Sequence, residues 1–265
     1  MRCNLLGLCA ALVLLLPASA RSSSFDHSYT GYEALLRAHV DDEGLVSYAA
    51  LRKDGRLATF IKKVAEVSAE EVSEWTRSQQ IAFFVNVYNA LTLQTIVEAP
   101  GVSSIREIKP DPWQNDRWQV AGRRVSLHYL EHTRLRRQLR EARVHFVLVC
   151  AARGCPKLPR RALRADKLSE QLDSYARVFV RDTMHNRIDR TGRKIYLSKL
   201  FHWYGNDFEA PVGQGIPAAL AAMTGKEGSV VRYLYPLLKQ ADQAFLEDGK
   251  FEVVYSEYDW SLNRR

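Results

Sequence analysis

Residues 144–158 read VHFVLVCAARGCPKL, and the rest of the chain is organised around this stretch. The run at 146–149 is apolar and rich in β-branched residues, which is typical of a buried strand. The segment after Cys150 contains glycine and proline, which predict a tight loop. The stretch therefore predicts a buried strand that begins near His145, ends at Cys150 and leads into a loop that carries Cys155.

Strand geometry limits which of these side chains can work together. Successive side chains of a strand point to opposite faces, so His145 is not expected to act as a same-face base for Cys150. Cys155 is the better candidate nucleophile, because it follows Gly154 in a loop and is expected to be more exposed. The neighbouring Arg153 is expected to lower the pKa of its thiol and to favour the thiolate.

The two cysteines leave several kinds of chemistry open. A Cys150–Cys155 disulfide would clip the loop and add about 2 kcal/mol of stability in the chain-entropy model. A catalytic thiol would use Cys155 as nucleophile, with His132 or His145 as the base. Redox exchange and zinc binding are disfavoured, because the Cys-x4-Cys spacing fits neither thioredoxin-like sites nor standard zinc ligands. The disulfide is the favoured interpretation, and the sequence implies no metal and no cofactor.

The N-terminus has the pattern of a secretory signal peptide. Residues 1–20 combine a basic start, an apolar run from Leu5 to Leu16 and small residues before a cleavage point near Ala20. Cleavage there would remove Cys3 and Cys9. The mature protein is therefore expected to be periplasmic or secreted, in a compartment where two remaining cysteines favour a disulfide.

Length and charge limit the organisation and the partners. The chain has 265 residues, of which 46% are hydrophobic, and a formal net charge of +8. No internal repeat or linker divides it, so residues 21–265 are predicted to form one domain after the signal peptide. Basic surfaces attract anionic polymers, and export favours an envelope component or an unidentified ligand over nucleic acid. No stretch after the signal peptide is predicted to span a membrane, and the oligomeric state is left open.

A long apolar segment at about 78–98 predicts the central buried helix, because it is apolar nearly all round. Asn86 and Asn89 lie three residues apart and therefore share one face. They are interpreted either as a structural network that holds neighbouring loops or as a pair that lines the site. The predicted fold is α+β, a single mainly helical domain around a small antiparallel sheet.

Two further segments contribute polar and aromatic candidates. Glu131 and His132 are neighbours in a predicted helix, where adjacent side chains diverge by about 100°, so they are not expected to face the site in the same way. Trp203 and Tyr204, with His202 and Asp207, are interpreted either as a second wall of the pocket or as an aromatic helix packed on the core.

Several motifs together resemble a family of unknown function. They are FVNVYNALT from Phe84, VSLHYLEH from Val125, HFVLVCAARGCP from His145, YLSKLFHWY from Tyr196 and YDWSLN from Tyr258. In this order they resemble the domain-of-unknown-function family 547, DUF547, over nearly the whole predicted mature chain. The resemblance supports the domain assignment and the choice of candidate residues, and it implies no established activity.

Two functions of different classes are expected from these patterns. The favoured one is a non-catalytic binding or structural module of the cell envelope, with the cysteines bridged. The alternative is a papain- or transglutaminase-like thiol hydrolase or acyltransferase, with Cys155 as nucleophile, His132 or His145 as base and Asn86 or Asn89 as the orienting residue. The predicted binding residues are Asn86, Asn89, Glu131, Cys150, Arg153, Trp203 and Tyr204.

Overall fold

The computed structural model describes residues 24–208 and 215–265, so the predicted signal peptide at 1–20 lies outside the described residues. The α-helices are α1 Thr30–His39, α2 Tyr48–Leu51, α3 Arg56–Ala65, α4 Ala69–Glu74, α5 Arg77–Glu98, α6 Leu168–Val180, α7 Lys199–Tyr204, α8 Ala218–Ala221, α9 Gly225–Leu234 and α10 Gln240–Leu246. The strands are β1 Trp118–Val120, β2 Arg123–Val125, β3 Arg187–Asp189, β4 Lys194–Leu197 and β5 Glu252–Tyr255.

Helix α5 is the central buried helix, as predicted. Its start is fixed by a capping box in which the Thr76 side chain accepts a hydrogen bond from the Gln79 backbone N–H, while the Gln79 side chain accepts one from the Thr76 backbone. The helix is long and apolar enough to cross a membrane by length and composition. However, 83% of its most apolar window is buried inside the protein, which is typical of a core helix.

Two hydrophobic cores are built side by side. The first surrounds α5 and includes side chains of α1, α3 and the β1–β2 hairpin. The second combines α6, α7, α9 and strand β4. Val147 belongs to the first core, whereas the adjacent Phe146 belongs to the second. The segment at 145–148 therefore lies where the two cores meet, and this junction is where the candidate site forms.

The strands form two small sheets. β1 and β2 are an antiparallel hairpin. β3 pairs antiparallel with β4, and β4 pairs parallel with β5, so the second sheet is mixed. A parallel neighbour needs a long connection, and helices α8 to α10 occur between β4 and β5. The α+β, mainly helical fold is confirmed, with the added detail that one of its sheets contains a parallel pair.

The predicted strand within 144–158 is wrong. Residues Ala142–Phe146 form a 3-10 helix, and residues 147–150 that follow belong to no strand. The Asn89 side chain takes the backbone groups that a neighbouring strand would otherwise bond: it donates to the Val147 carbonyl at 2.8 Å and accepts from the Val149 N–H at 3.0 Å. Because the segment is not a strand, its side chains do not alternate between faces as expected.

The loop after Cys150 is held by the last residues of the chain. Arg153 donates its backbone N–H to the Ser261 carbonyl, and Gly154 donates to the Asp259 carbonyl, each at 2.8 Å. A Cβ at Gly154 would lie 2.9 Å from carbon atoms of the Tyr258 ring, so glycine permits this close approach. The C-terminal segment thereby places Tyr258 against the cysteine loop.

Candidate functional site

A cavity of about 370 Å³ opens at the junction of the two cores. Its walls combine both cysteines, three histidines, two carboxylic acids and a set of aromatic side chains. The lining residues are Tyr88, Asp111, Trp113, Gln114, His128, Glu131, His132, His145, Leu148, Cys150, Cys155, Pro156, Leu200, Trp203, Tyr204, Tyr258 and Trp260. The concave shape, with a few polar groups among apolar walls, is typical of a small-molecule site.

Hydrogen bonds to sulfur stabilise the thiolate form of Cys155. Its Sγ accepts the Cys150 backbone N–H at 3.0 Å and lies 3.0 Å from the Tyr258 hydroxyl. Burial by itself would raise the pKa of this thiol, but hydrogen bonds from the Cys150 thiol, the Tyr258 hydroxyl and backbone N–H groups outweigh it and place the pKa below its ordinary value. Arg153 is not among the main causes of this effect, contrary to the expectation from its position.

Cys150 is the protonated partner of Cys155. Its pKa is raised well above the ordinary value, first by its hydrogen bond to Cys155 and then by burial. Both cysteines are free thiols, and no Cys150–Cys155 disulfide is formed. The favoured disulfide interpretation therefore does not describe this structure, in which the loop is instead held by backbone bonds to the C-terminal segment.

Removal of the Tyr258 hydroxyl is expected to raise the pKa of Cys155. A hydrogen bond to a charged group contributes about 1.5–3 kcal/mol, so Tyr258→Phe should move the midpoint of the pH–rate profile for Cys155 alkylation up by about 1–2 pH units. The profile is measured with iodoacetamide and intact-mass detection. Tyr255→Phe is the control, since that hydroxyl makes no hydrogen bond within the described chain. An unchanged midpoint in Tyr258→Phe would contradict the assignment.

His145 is oriented by an aspartate. Its Nε2 lies 2.7 Å from Asp207 Oδ2, and Arg136 binds both oxygens of the same carboxylate, at 2.5 and 3.0 Å. Burial would raise the pKa of Asp207, but hydrogen bonds from His145 and Arg136 keep it well below its usual range. Asp207 is therefore an ionised acceptor, and the Nε2 atom of His145 carries the proton. The Nδ1 atom is then the atom of His145 that is available for proton transfer.

Both neighbours on the predicted helix line the cavity. The segment Tyr129–Gln138 is a π-helix, a wider turn that recurs at functional sites. Glu131 and His132 line the same cavity, so each of the two adjacent side chains reaches the site. The His128 and His132 rings also lie 4.2 Å apart, one turn from each other.

The contacts of His132 favour a role as a hydrogen-bond donor. Its Nδ1 is paired with an Arg136 nitrogen, which can only donate. Burial, the largest cause, lowers the pKa of His132, so the ring is neutral near pH 7 and its remaining proton lies on Nε2. Of the two histidines predicted as the base, His145 is therefore the better placed by its contacts.

The two asparagines act on the backbone and do not line the cavity. Asn86 donates to the Leu163 carbonyl and accepts from the Leu163 N–H, each at 2.9 Å. Asn89 makes the equivalent pair of bonds to the segment at 147–149. Their amides are thereby engaged on both sides, which matches the structural interpretation, and the residue that orients His145 is Asp207.

The remaining predicted binding residues divide between two cavities. Trp203, which is 43% exposed, and Tyr204, which stacks on His145 at 4.2 Å, line the first cavity. Arg153 lies on a second cavity of about 430 Å³ on the other side of the loop, which Cys155 and Tyr258 also line. Among residues 24–208 and 215–265, no three His, Cys, Asp or Glu side chains are grouped as metal ligands.

Sequence reasoning missed two parts of this arrangement. The part of Tyr258 in holding the Cys155 thiol was not anticipated, since Tyr258 lies 103 positions away along the chain. Asp207 was placed near the pocket but was not matched to His145, from which it is separated by 62 positions. Pairings at such distances leave no periodic pattern, although the motif that begins at Tyr258 marked that segment.

Comparison with known proteins gives a family and no activity. Residues 72–180 match a family model described as "Protein of unknown function, DUF547". The matched range includes α5, the π-helix and the cysteine loop, whereas Asp207 and Tyr258 lie beyond it. No curated protein matches the chain. No solved structure matches it.

Proposed function

Residues 72–180 of this chain match the DUF547 family, which carries no assigned activity, and from the geometry of the site we propose that the protein is a cysteine-dependent acyl-transfer enzyme. The observation that carries the proposal is the state of Cys155, whose sulfur is stabilised as a thiolate by Cys150 and Tyr258. A thiolate is the reactive form of cysteine. Cys155 lines the same cavity as His145, and the Asp207 carboxylate orients that histidine.

The proposed reaction follows the logic of a cysteine–histidine–aspartate site. The Cys155 sulfur attacks the carbonyl carbon of an ester or amide and forms a C–S bond. His145 delivers the proton taken from the thiol to the departing oxygen or nitrogen through Nδ1. The product is an acyl-thioester on Cys155, which a second nucleophile then cleaves.

Each supporting residue has a physical task in this scheme. Asp207 holds the Nε2–H of His145, so that Nδ1 is the atom that exchanges protons. Hydrogen bonds from His145 and from Arg136 keep the pKa of Asp207 below its usual range. His132, whose proton lies on Nε2, is available as a donor to the developing oxyanion. We further propose that the enzyme acts after export, on the basis of the signal-peptide pattern at residues 1–20.

A binding module is the second candidate, and one observation favours it. Three aromatic rings are grouped in the cavity wall, with Tyr258 4.8 Å from Trp203 and 4.6 Å from Trp260. Such surfaces hold ligands without any chemical step. The bridged cysteines on which this function was first based are absent from the structure, so the aromatic wall is what now supports it.

Acylation of Cys155 by an activated ester separates the two candidates. The protein is mixed with p-nitrophenyl acetate, quenched in acid within seconds and analysed by intact mass and peptide mapping. We expect a transient single acetyl group on Cys155, a burst of p-nitrophenol in proportion to protein, and no burst with Cys155→Ser.

Cys150→Ser is the matched control and should retain a burst, because the Cys150 backbone N–H that bonds Cys155 is preserved. If Cys155 gains no acetyl group while the folded protein reacts only at surface amines, the acyl-transfer proposal is wrong and the binding module is favoured.

A further inference from the structure

The cavity has the opposite electrostatic character from the protein that surrounds it. The chain has 38 Lys and Arg residues and a net charge of +8. Among the described residues that line the cavity, none is Lys or Arg, and two are the carboxylic acids Asp111 and Glu131. A cavity of this kind disfavours the anionic ligands that the overall charge would attract.

Glu131 is a buried carboxylate that faces the cavity. The residue is only 7% exposed, and it forms no ion pair with any Lys, Arg or His of residues 24–208 and 215–265. The nearby Arg136 is bound through two nitrogens to Asp207, and the nearby His132 is neutral because burial lowers its pKa. A buried carboxylate without an ion-pair partner is costly even where a tyrosine, here Tyr204, hydrogen-bonds it, so Glu131 is suited to a cation that arrives with the ligand.

Aromatic rings surround the same carboxylate. Tyr88 and Tyr204 line the same cavity as Glu131, and the Glu131 carboxyl contributes, after burial, to the raised pKa of both phenols. Trp203 and Trp260 form the wall beyond them. Aromatic faces attract ammonium groups, and the attraction strengthens where water is excluded. A carboxylate among aromatic rings is therefore a binding site for an organic cation.

We propose that this cavity binds a primary ammonium group on an aliphatic chain, and that such an amine is the second nucleophile of the reaction. The inference rests on the proposed acyl transfer. The amine nitrogen forms a C–N bond with the acyl carbon, the C–S bond breaks, and its electron pair returns to Cys155. The bound ammonium loses two protons, one to His145 and one to solvent, so the products are an amide and the regenerated thiolate–imidazolium pair.

Equilibrium binding tests the cation site without any chemistry. In the Cys155→Ser protein, the fluorescence of the cavity tryptophans is titrated with pentylammonium, pentanol and pentanoate at one ionic strength. We expect pentylammonium to bind about 10- to 100-fold more tightly than pentanol, as a charge-assisted contact implies, and pentanoate not to bind. Equal affinities for the amine and the alcohol would overturn the proposal without the need for any Glu131 variant.

The variant Glu131→Gln then tests whether Glu131 is the residue that binds the ammonium group. The substitution keeps the side-chain shape and should remove the preference for the amine, while thermal unfolding verifies that the fold is retained. Glu66→Gln is the matched control, since Glu66 is exposed and its loss changes the net charge equally. A preference for pentylammonium that survives in Glu131→Gln would show that Glu131 does not hold the cation.

A partition measurement links the site to the reaction. The acetylated wild-type protein is mixed with increasing concentrations of pentylamine in water. The fraction of acetyl groups that is transferred to the amine instead of water is quantified as amide product. We expect amide formation that saturates with pentylamine and is lost in Glu131→Gln. If Cys155 acylates but amide never forms, the acceptor assignment fails while the proposed function stands. If pentylammonium binds through Glu131 but Cys155 never acylates, the proposed function fails while the cation site stands.

Discussion

Replacing His145 with alanine is expected to reduce kcat/KM for ester hydrolysis by about 10³- to 10⁴-fold, because Cys155 then has no oriented group to move its proton. The basis is the contact between His145 Nε2 and Asp207 at 2.7 Å, which leaves Nδ1 to exchange protons. The measurement is kcat/KM with p-nitrophenyl acetate at one fixed pH, where wild-type protein and His145→Ala are compared.

Asp207→Asn is the conservative companion variant. The amide keeps the volume of the carboxylate but removes the charge that holds the Nε2–H of His145, so the rate should fall by about 10²- to 10⁴-fold with the fold intact. His132→Ala should lose much less activity than His145→Ala, since the Nδ1 atom of His132 is already occupied by Arg136. If His132→Ala loses more activity than His145→Ala, the roles of the two histidines are reversed.

Replacing Asn89 with alanine is expected to lower the free energy of unfolding by about 2–5 kcal/mol. Asn89 is buried and bonds one backbone carbonyl, of Val147, and one backbone N–H, of Val149. Each buried group left without a partner costs about 1–3 kcal/mol, and both lie in a buried segment with no neighbouring strand. The loss is measured by urea unfolding at constant slope of free energy against denaturant.

Gln94→Ala is the matched control for this measurement. Gln94 lies on the same helix, α5, and its side chain bonds Glu98 at the surface. A change within about 0.5 kcal/mol is expected there, as for most surface substitutions. A loss for Asn89→Ala no larger than that of Gln94→Ala would show that the segment at 147–149 does not depend on the amide.

Patterns in short stretches of sequence predicted the elements whose formation depends mainly on neighbouring residues. The all-round apolar run at 78–98 predicted a buried helix, because only the interior accommodates such a surface. The same kind of reasoning failed at 144–158, where an apolar run was interpreted as a strand. A short apolar run satisfies its backbone groups either with a neighbouring strand or with a side chain, and the choice here depends on Asn89, which lies on another element.

The candidate site likewise combines residues that the sequence indicated with contacts that only the folded chain brings about. The sequence indicated which residue types carry chemistry: two cysteines, His132, His145 and Glu131, all of which line one cavity. Their roles depend on partners from distant positions. His145 is oriented by Asp207, and the Cys155 sulfur lies 3.0 Å from the Tyr258 hydroxyl, which helps to lower the pKa of the thiol.

The sequence by itself therefore predicted the mainly helical α+β class and the central helix, indicated the DUF547 resemblance that residues 72–180 match, and indicated the chemical groups of the candidate site. The tertiary structure alone decided that the thiols are free, that His145 has the orienting carboxylate and that a basic protein encloses a cavity without Lys or Arg among its described lining residues. The physical reason is the separation along the chain over which each interaction acts. Helix propensity and hydrophobic periodicity act over a few residues, whereas pKa values and hydrogen-bond partners are set by whichever groups the folded chain brings within a few ångströms.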